Sequence, residues 1–130
     1  MRQAVIDHID ALTLGTFKMS DELPFDASGQ PLYQKNFKRI YVDNDQKTTT
    51  SLFTVLNGDN PLVETTTVRV YFTTDAKQLP KNYDSLVEDI KIAKDTAALT
   101  GLIERQCDVA TSFTEDAMLT EFEFRFTKLT

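Results

Sequence analysis

From Leu119 to Lys128 the chain alternates strictly, with Phe122, Phe124 and Phe126 separated by Glu121, Glu123, Arg125 and Thr127. Successive side chains on a strand point to opposite faces, so the run predicts a strand with one phenylalanine face and one charged face. Thr65 to Thr74 repeats the pattern: Val68, Val70 and Phe72 face one way, and Thr67, Arg69, Tyr71 and Thr73 the other. The two strands are predicted neighbours, with Arg69 and Glu123 meeting across the outer face. Leu102 to Thr114 reads as a third strand, joined to the last by a turn at Thr114-Glu115-Asp116.

Helical spacing appears twice. Tyr83, Leu86, Val87, Ile90 and Ala93 or Lys94 recur at i, i+3, i+4 and i+7, which predicts a helix over about 81–95 opening after Pro80. A shorter turn over Ala97 to Thr100 follows, ended by Gly101. Val5, Ile6, Ile9 and Leu12 predict an amphipathic helix over 2–14, with Asp7 and Asp10 facing away and Gly15 as its stop.

Between these helices the signal is weaker. Thr16 to Leu23 reads as a short strand with Phe17, Met19 and Leu23 on one face, and Asp26 to Gln30 as a turn. In Phe37 to Val42, Phe37, Arg39 and Tyr41 share one face and Lys38, Ile40 and Val42 the other; alternation alone does not choose the buried one. Asp43 to Thr50 has no hydrophobic member, Leu52 to Leu56 is strand-like, and Asn57-Gly58-Asp59-Asn60-Pro61 joins a hairpin-favouring Asn-Gly to a proline that ends pairing. Residues 43–66 are therefore either a long protruding hairpin or a loop. The sum is α+β: one domain, residues 1–130, with a mostly antiparallel or mixed sheet, helices on one face and a C-terminal hairpin.

Composition bounds the function. With 130 residues the chain suits a single core-bearing domain, and 41% hydrophobic residues are ordinary for a globular protein. A net charge of −6 argues against a domain that grips nucleic acid through phosphates, yet suits a wall that DNA must pass without sticking. Cys107 is the lone cysteine, so no disulfide forms within the chain. No apolar run reaches the roughly 20 residues of a membrane helix. The first ten residues carry acids inside their apolar stretch, unlike a signal peptide. The expectation is a protein of a reducing cytoplasm that does not enter a membrane.

Catalytic signatures are missing, and the expectation is no enzyme, no cofactor and no metal. His8, the single histidine, reads as a surface or packing residue, and Cys107 as an inert thiol within a strand. Asp43-Asn44-Asp45 opens like a calcium loop, but Thr48 and Thr54 stand where that loop needs glycine and glutamate. The four glycines are isolated, so no phosphate-cradling loop exists, and adjacent carboxylates such as Asp21-Glu22 and Glu88-Asp89 suit solvated turns. More informative are Arg39, Tyr41, Arg69, Tyr71 and Arg125, which share the other side of the sheet if the apolar faces are the buried ones. Arginine and tyrosine are enriched at interfaces, so these five are candidates for a subunit or partner interface. An ordinary solvated sheet face with cross-strand ion pairs explains them equally well. Asp43, Asp45, Lys47, Asn57 and Asp59 are candidates for a partner-contacting loop.

The run Thr67-Val-Arg-Val-Tyr-Phe-Thr-Thr-Asp-Ala, then Tyr83-Asp-Ser-Leu-Val, then Ala97-Ala-Leu-Thr-Gly-Leu-Ile, resembles the tail terminator proteins of long-tailed bacteriophages. The layout is similar too: helix, strands with a long variable loop, a valine- and phenylalanine-rich strand, a helix after a proline-containing loop, a terminal hairpin. The resemblance covers roughly half the chain, and related neck and tail-completion proteins share much of it. It implies a ring, of six subunits by the family's habit, that caps the tail tube at its head-proximal end, stops its polymerisation and offers a docking surface to the head. Its partners would be other copies of itself, the tail tube protein and head-completion or neck proteins. Genomic DNA would pass through without sequence-specific binding, and the protein would act in the virion after assembly in the host cytoplasm. A small cytoplasmic binding module with a pocket between helix and sheet stays open as an alternative; an enzyme using paired carboxylates is least favoured.

Overall fold

The computed structural model describes residues 1–12, 14–15, 17–21, 25, 27–29, 38–51, 62–95, 101–114 and 117–129. Among them are helices α1 (Arg2–Asp10) and α2 (Tyr83–Lys91), and strands β1 (Lys18–Met19), β2 (Arg39–Val42), β3 (Gln46–Ser51), β4 (Leu62–Asp75), β5 (Glu104–Thr114) and β6 (Ala117–Leu129). The strands form one sheet in the order β1-β2-β4-β6-β5, with β3 also pairing β4. β1 and β2 run parallel and every other pair is antiparallel, so the sheet is mixed and the fold α+β.

The centre is the β4–β6 ladder, which runs unbroken from Val63↔Leu129 to Asp75↔Ala117. It sets Val68, Val70 and Phe72 opposite Phe124, Phe122 and Thr120 on the helix-facing side. All but Thr120 are large apolar groups, and all six are fully buried. Phe122, Phe124 and Phe126 stack along β6, with centroids 6.4 and 6.2 Å apart. Phe72 meets Phe17 edge-on at 5.2 Å and Phe122 at 5.8 Å, so the aromatic row continues across strands. Val5 and Ile9 of α1, with Leu86 and Ile90 of α2, close the core from above. The question left by alternation in β2 is answered by Ile40 and Val42, which are buried.

Both helices are shorter than their spacing predicts. α1 ends at Asp10, where Ala11 N–H bonds Asp7 O and Leu12 N–H bonds Ile9 O, a tightened final turn. Leu12 and Leu14 still pack on the core, which is why the apolar periodicity overran the helix. Gly15 (φ +63°) turns the chain beyond it, and a Cβ there would sit 3.0 Å from the Asn82 amide. That amide donates to Leu14 O, so Asn82 stands at the N-cap of α2 without capping it by its side chain. α2 gives way to a 3-10 turn over Ile92–Asp95, which keeps Ala93 buried and turns Ile92 outward. His8 Nε2 lies 2.8 Å from Asp89 O, a link between the helices that suits the packing role read from the sequence.

The polar run at 43–50 holds all of β3 but its last residue, Ser51; the strand is exposed throughout and paired residue by residue with the first half of β4, from Gln46↔Thr67 to Ser51↔Leu62. The expected strand over Leu52 to Leu56, the Asn57-Gly58 turn and Pro61 lie outside the described residues, as do Leu23, Phe37, the turn at 97–100 and Glu115-Asp116. β5 begins at Glu104, two residues later than predicted, and β4 at Leu62, three residues earlier because β3 supplies it a partner.

The stacked phenylalanines should dominate stability. Truncating Phe124→Ala is expected to cost about 3–5 kcal/mol in urea unfolding, whereas Phe113→Ala, on the exposed end of β5, should cost under about 0.5 kcal/mol. Equal costs would contradict this core.

Candidate interface on the outer sheet face

The ladder registers carry Tyr41, Arg69, Tyr71 and Arg125 to the face away from the helices, because each neighbours a core residue by one step. Arg39 follows by the same parity in β2 and is exposed. Cross-strand rows organise the face. Tyr41, Tyr71, Glu121 and Ala110 form one row; Arg69, Glu123 and Asp108 form the next. Gln46, Thr67, Arg125 and Gln106 form a third, and Thr48, Thr65, Thr127 and Glu104 a fourth.

Within these rows the arginines are held by the sheet's own acceptors. Arg69 reaches Glu121 at 3.5 Å, Glu123 at 3.4 Å and the Gln46 side-chain oxygen at 2.7 Å. Arg125 donates to Asp108 at 2.7 Å and lies 3.4 Å from Glu123. The hydrogen bonds from Arg125 and then Gln106 hold the Asp108 carboxyl below its usual range, and Asp108 in turn raises the Arg125 guanidinium. Such exposed pairs contribute about 0–1 kcal/mol each and weaken with salt. The four rows carry Glu104, Asp108, Glu121 and Glu123 against Arg69 and Arg125, so the face retains an acidic surplus.

Tyr71 is the most buried of the five, only 8% exposed, with Phe25 edge-on to its ring at 5.2 Å. Burial and then the Glu121 carboxylate push that phenol up to about 12. Tyr41 is half-buried, and its hydroxyl bonds Asp43 at 3.4 Å; burial and Asp43 raise its titration too.

In the candidate loop, Asp43 also accepts from Asn44 N–H at 2.8 Å, and Asp45 pairs with the Met1 ammonium at 3.4 Å. Lys47 is exposed on β3, whereas Asn57 and Asp59 lie outside the described residues. Gln46, Asp108 and Glu121 were not anticipated as partners of the arginines. The alternation of β5 and β6 carries a signal for Asp108 and Glu121 but none for Gln46 on β3, and only the ladder registers show which acceptor faces which cation.

Among the described residues no group of three potential metal ligands occurs, and no helix is long and apolar enough to cross a membrane. An open cleft of about 630 Å³ lies at the start of α2, lined by Gly15, Lys38, Asp75, Leu79, Pro80 and Asn82. Cys107 faces the core beside Phe124, and its burial pushes the thiol up to about 12.

A scan of known protein families finds none that matches, and a search of curated proteins likewise finds no match. Among solved structures the chain is similar to one from the virion of a native gene transfer agent (GTA) particle. The TM-score is 0.51 at 13% identity, covering 100% of this chain and 95% of that chain. At this identity the likeness is one of fold, and it runs from end to end.

The two raised groups set a pH dependence. Folded Cys107 and Tyr71 keep their protons to about pH 12, whereas the unfolded chain releases them from ordinary values of 9.0 and 10.0. Between those limits the folded state binds more protons, so stability is complete below pH 9 and falls as pH rises toward 12. Urea midpoints measured from pH 8 to 11 should decline accordingly. Alkylation of Cys107 at pH 8 should be roughly tenfold or more slower in the native protein than in urea; equal rates would contradict the buried thiol.

Proposed function

We propose that the protein is a structural component of a phage-like virion, and within that class a tail terminator. The observation that carries the proposal is the end-to-end fold likeness to a chain of the gene transfer agent virion. The finer assignment is supported by the element order, in which a helix precedes the central hairpin strands and a second helix precedes a terminal hairpin. The protein acts by binding alone. Copies form a ring, of six subunits by the resemblance, with one face fitted to the last ring of the tail tube and the other to head-completion proteins.

A cyclic ring needs two different patches on each subunit. The outer sheet face around Arg39, Tyr41, Arg69 and Arg125 is one such surface, and the segment bearing Asp43, Asp45 and Lys47 meets a partner. The net charge of −6 suits a protein through which DNA passes, since carboxylates repel phosphates.

Light scattering over a concentration series at two salt levels tests the ring. A discrete species near six times the 14.8 kDa chain mass is expected, growing with concentration. Arg69→Glu or Arg125→Glu should weaken assembly by at least about tenfold, corresponding to roughly 1.4 kcal/mol, while the monomer stays folded. Assembly indifferent to both reversals would remove these residues from the interface.

A further inference from the structure

We propose that the two open edges of the sheet join neighbouring copies head to tail, β5 of one copy adding to β3 of the next. The proposal rests on the ring reading for closure, but the edges themselves are features of this chain. β5 takes its hydrogen-bond partner from β6 alone among the described residues, and every residue from Asp108 to Phe113 is exposed. Residues 109–114, Val-Ala-Thr-Ser-Phe-Thr, carry no charge and no proline, and leave Val109 36% and Phe113 65% exposed. Proteins that stay monomeric guard such an edge with lysine, proline or a bulge. Here six consecutive residues lack any guard.

At the other side of the sheet, β3 pairs only with β4 among the described residues and is exposed along its whole length. Its sequence, Gln-Lys-Thr-Thr-Thr-Ser, is again β-prone, with Lys47 as its single charge. The strands β3, β4, β6 and β5 alternate in direction, since each successive pair is antiparallel. β3 and β5 therefore run oppositely. Rotating one copy about an axis along the strands brings its β3 beside the neighbour's β5 as an antiparallel pair, the more stable ladder, and continues the alternation.

A second copy's β3 also suits the chemistry of the edge. Lys47 lies opposite Thr66, on the same side of the sheet as Val109 and Phe113, which lie opposite Phe122 and Met118. Its aliphatic stem can cover those exposed apolar groups while the ammonium stays wet. β5 carries Glu104, Arg105 and Asp108, a net negative edge against a positive one. A two-fold β5–β5 contact would be antiparallel as well, but it would close a dimer and leave β3 open.

The test uses the full chain with Cys107→Ser, adding Thr49→Cys on β3 and Thr111→Cys on β5, both exposed and on one side of the sheet. A short bismaleimide should convert the double variant into a ladder of covalent multimers ending at the ring number, and neither single variant into dimers. In parallel, Val109→Lys with Phe113→Lys should raise the concentration needed for assembly at least about tenfold without changing the far-UV spectrum. Covalent dimers from Thr111→Cys alone would overturn the proposal in favour of β5–β5 pairing. A light-scattering ring with no cross-links and no sensitivity to the lysines would overturn it and leave the ring reading standing. A monomer at every concentration would overturn both.

Discussion

Everything in this fold hangs on the β4–β6 ladder and the aromatic row it aligns. One register places the stacked phenylalanines of β6 against Val68, Val70 and Phe72, and a slip of one residue would turn all of them to the opposite face. The same register fixes the opposite surface, setting Arg69 beside Glu123 and Arg125 beside Thr67. Core and candidate interface are thus two consequences of a single pairing. The helices complete the core, while β2, β3 and β5 extend the ladder sideways.

Period-two runs made that centre legible. Phe122, Phe124 and Phe126 announced the last strand, Val68, Val70 and Phe72 its partner, and the Arg69–Glu123 contact followed once the two were paired. Tyr83, Leu86, Ile90 and Ala93 marked the second helix by spacing alone. Other features depended on information that periodicity does not carry. β3 has no buried side chain, so it has no apolar period to read, and its existence follows from β4 having an unpaired edge. α1 stops at Asp10 although Leu12 continues the apolar spacing, because burial can follow a helix into the turn beyond it.

The candidate site was legible in outline only. Alternation set Arg69, Tyr71 and Arg125 opposite the apolar faces and left Tyr41 open, and it could not show that Phe25 meets Tyr71, a contact 46 positions away in the chain. Nor could it show that Gln46, Glu121 and Asp108 engage the arginines, since those contacts depend on three ladder registers together. The arrangement is a surface of cross-strand ion pairs flanked by two strands, β3 and β5, that each have one pairing partner among the described residues. Such a surface is suited to assembly, in which specificity comes from complementary charges and cohesion from backbone pairing.

The proposed role, ending a growing tube, is tested most directly by tube growth itself. Purified tail tube protein, polymerised with and without this chain, would be followed by negative-stain microscopy. The account predicts that added protein shortens the tubes and leaves one ring-shaped density at a single end. Tubes of unchanged length with both ends bare would contradict it.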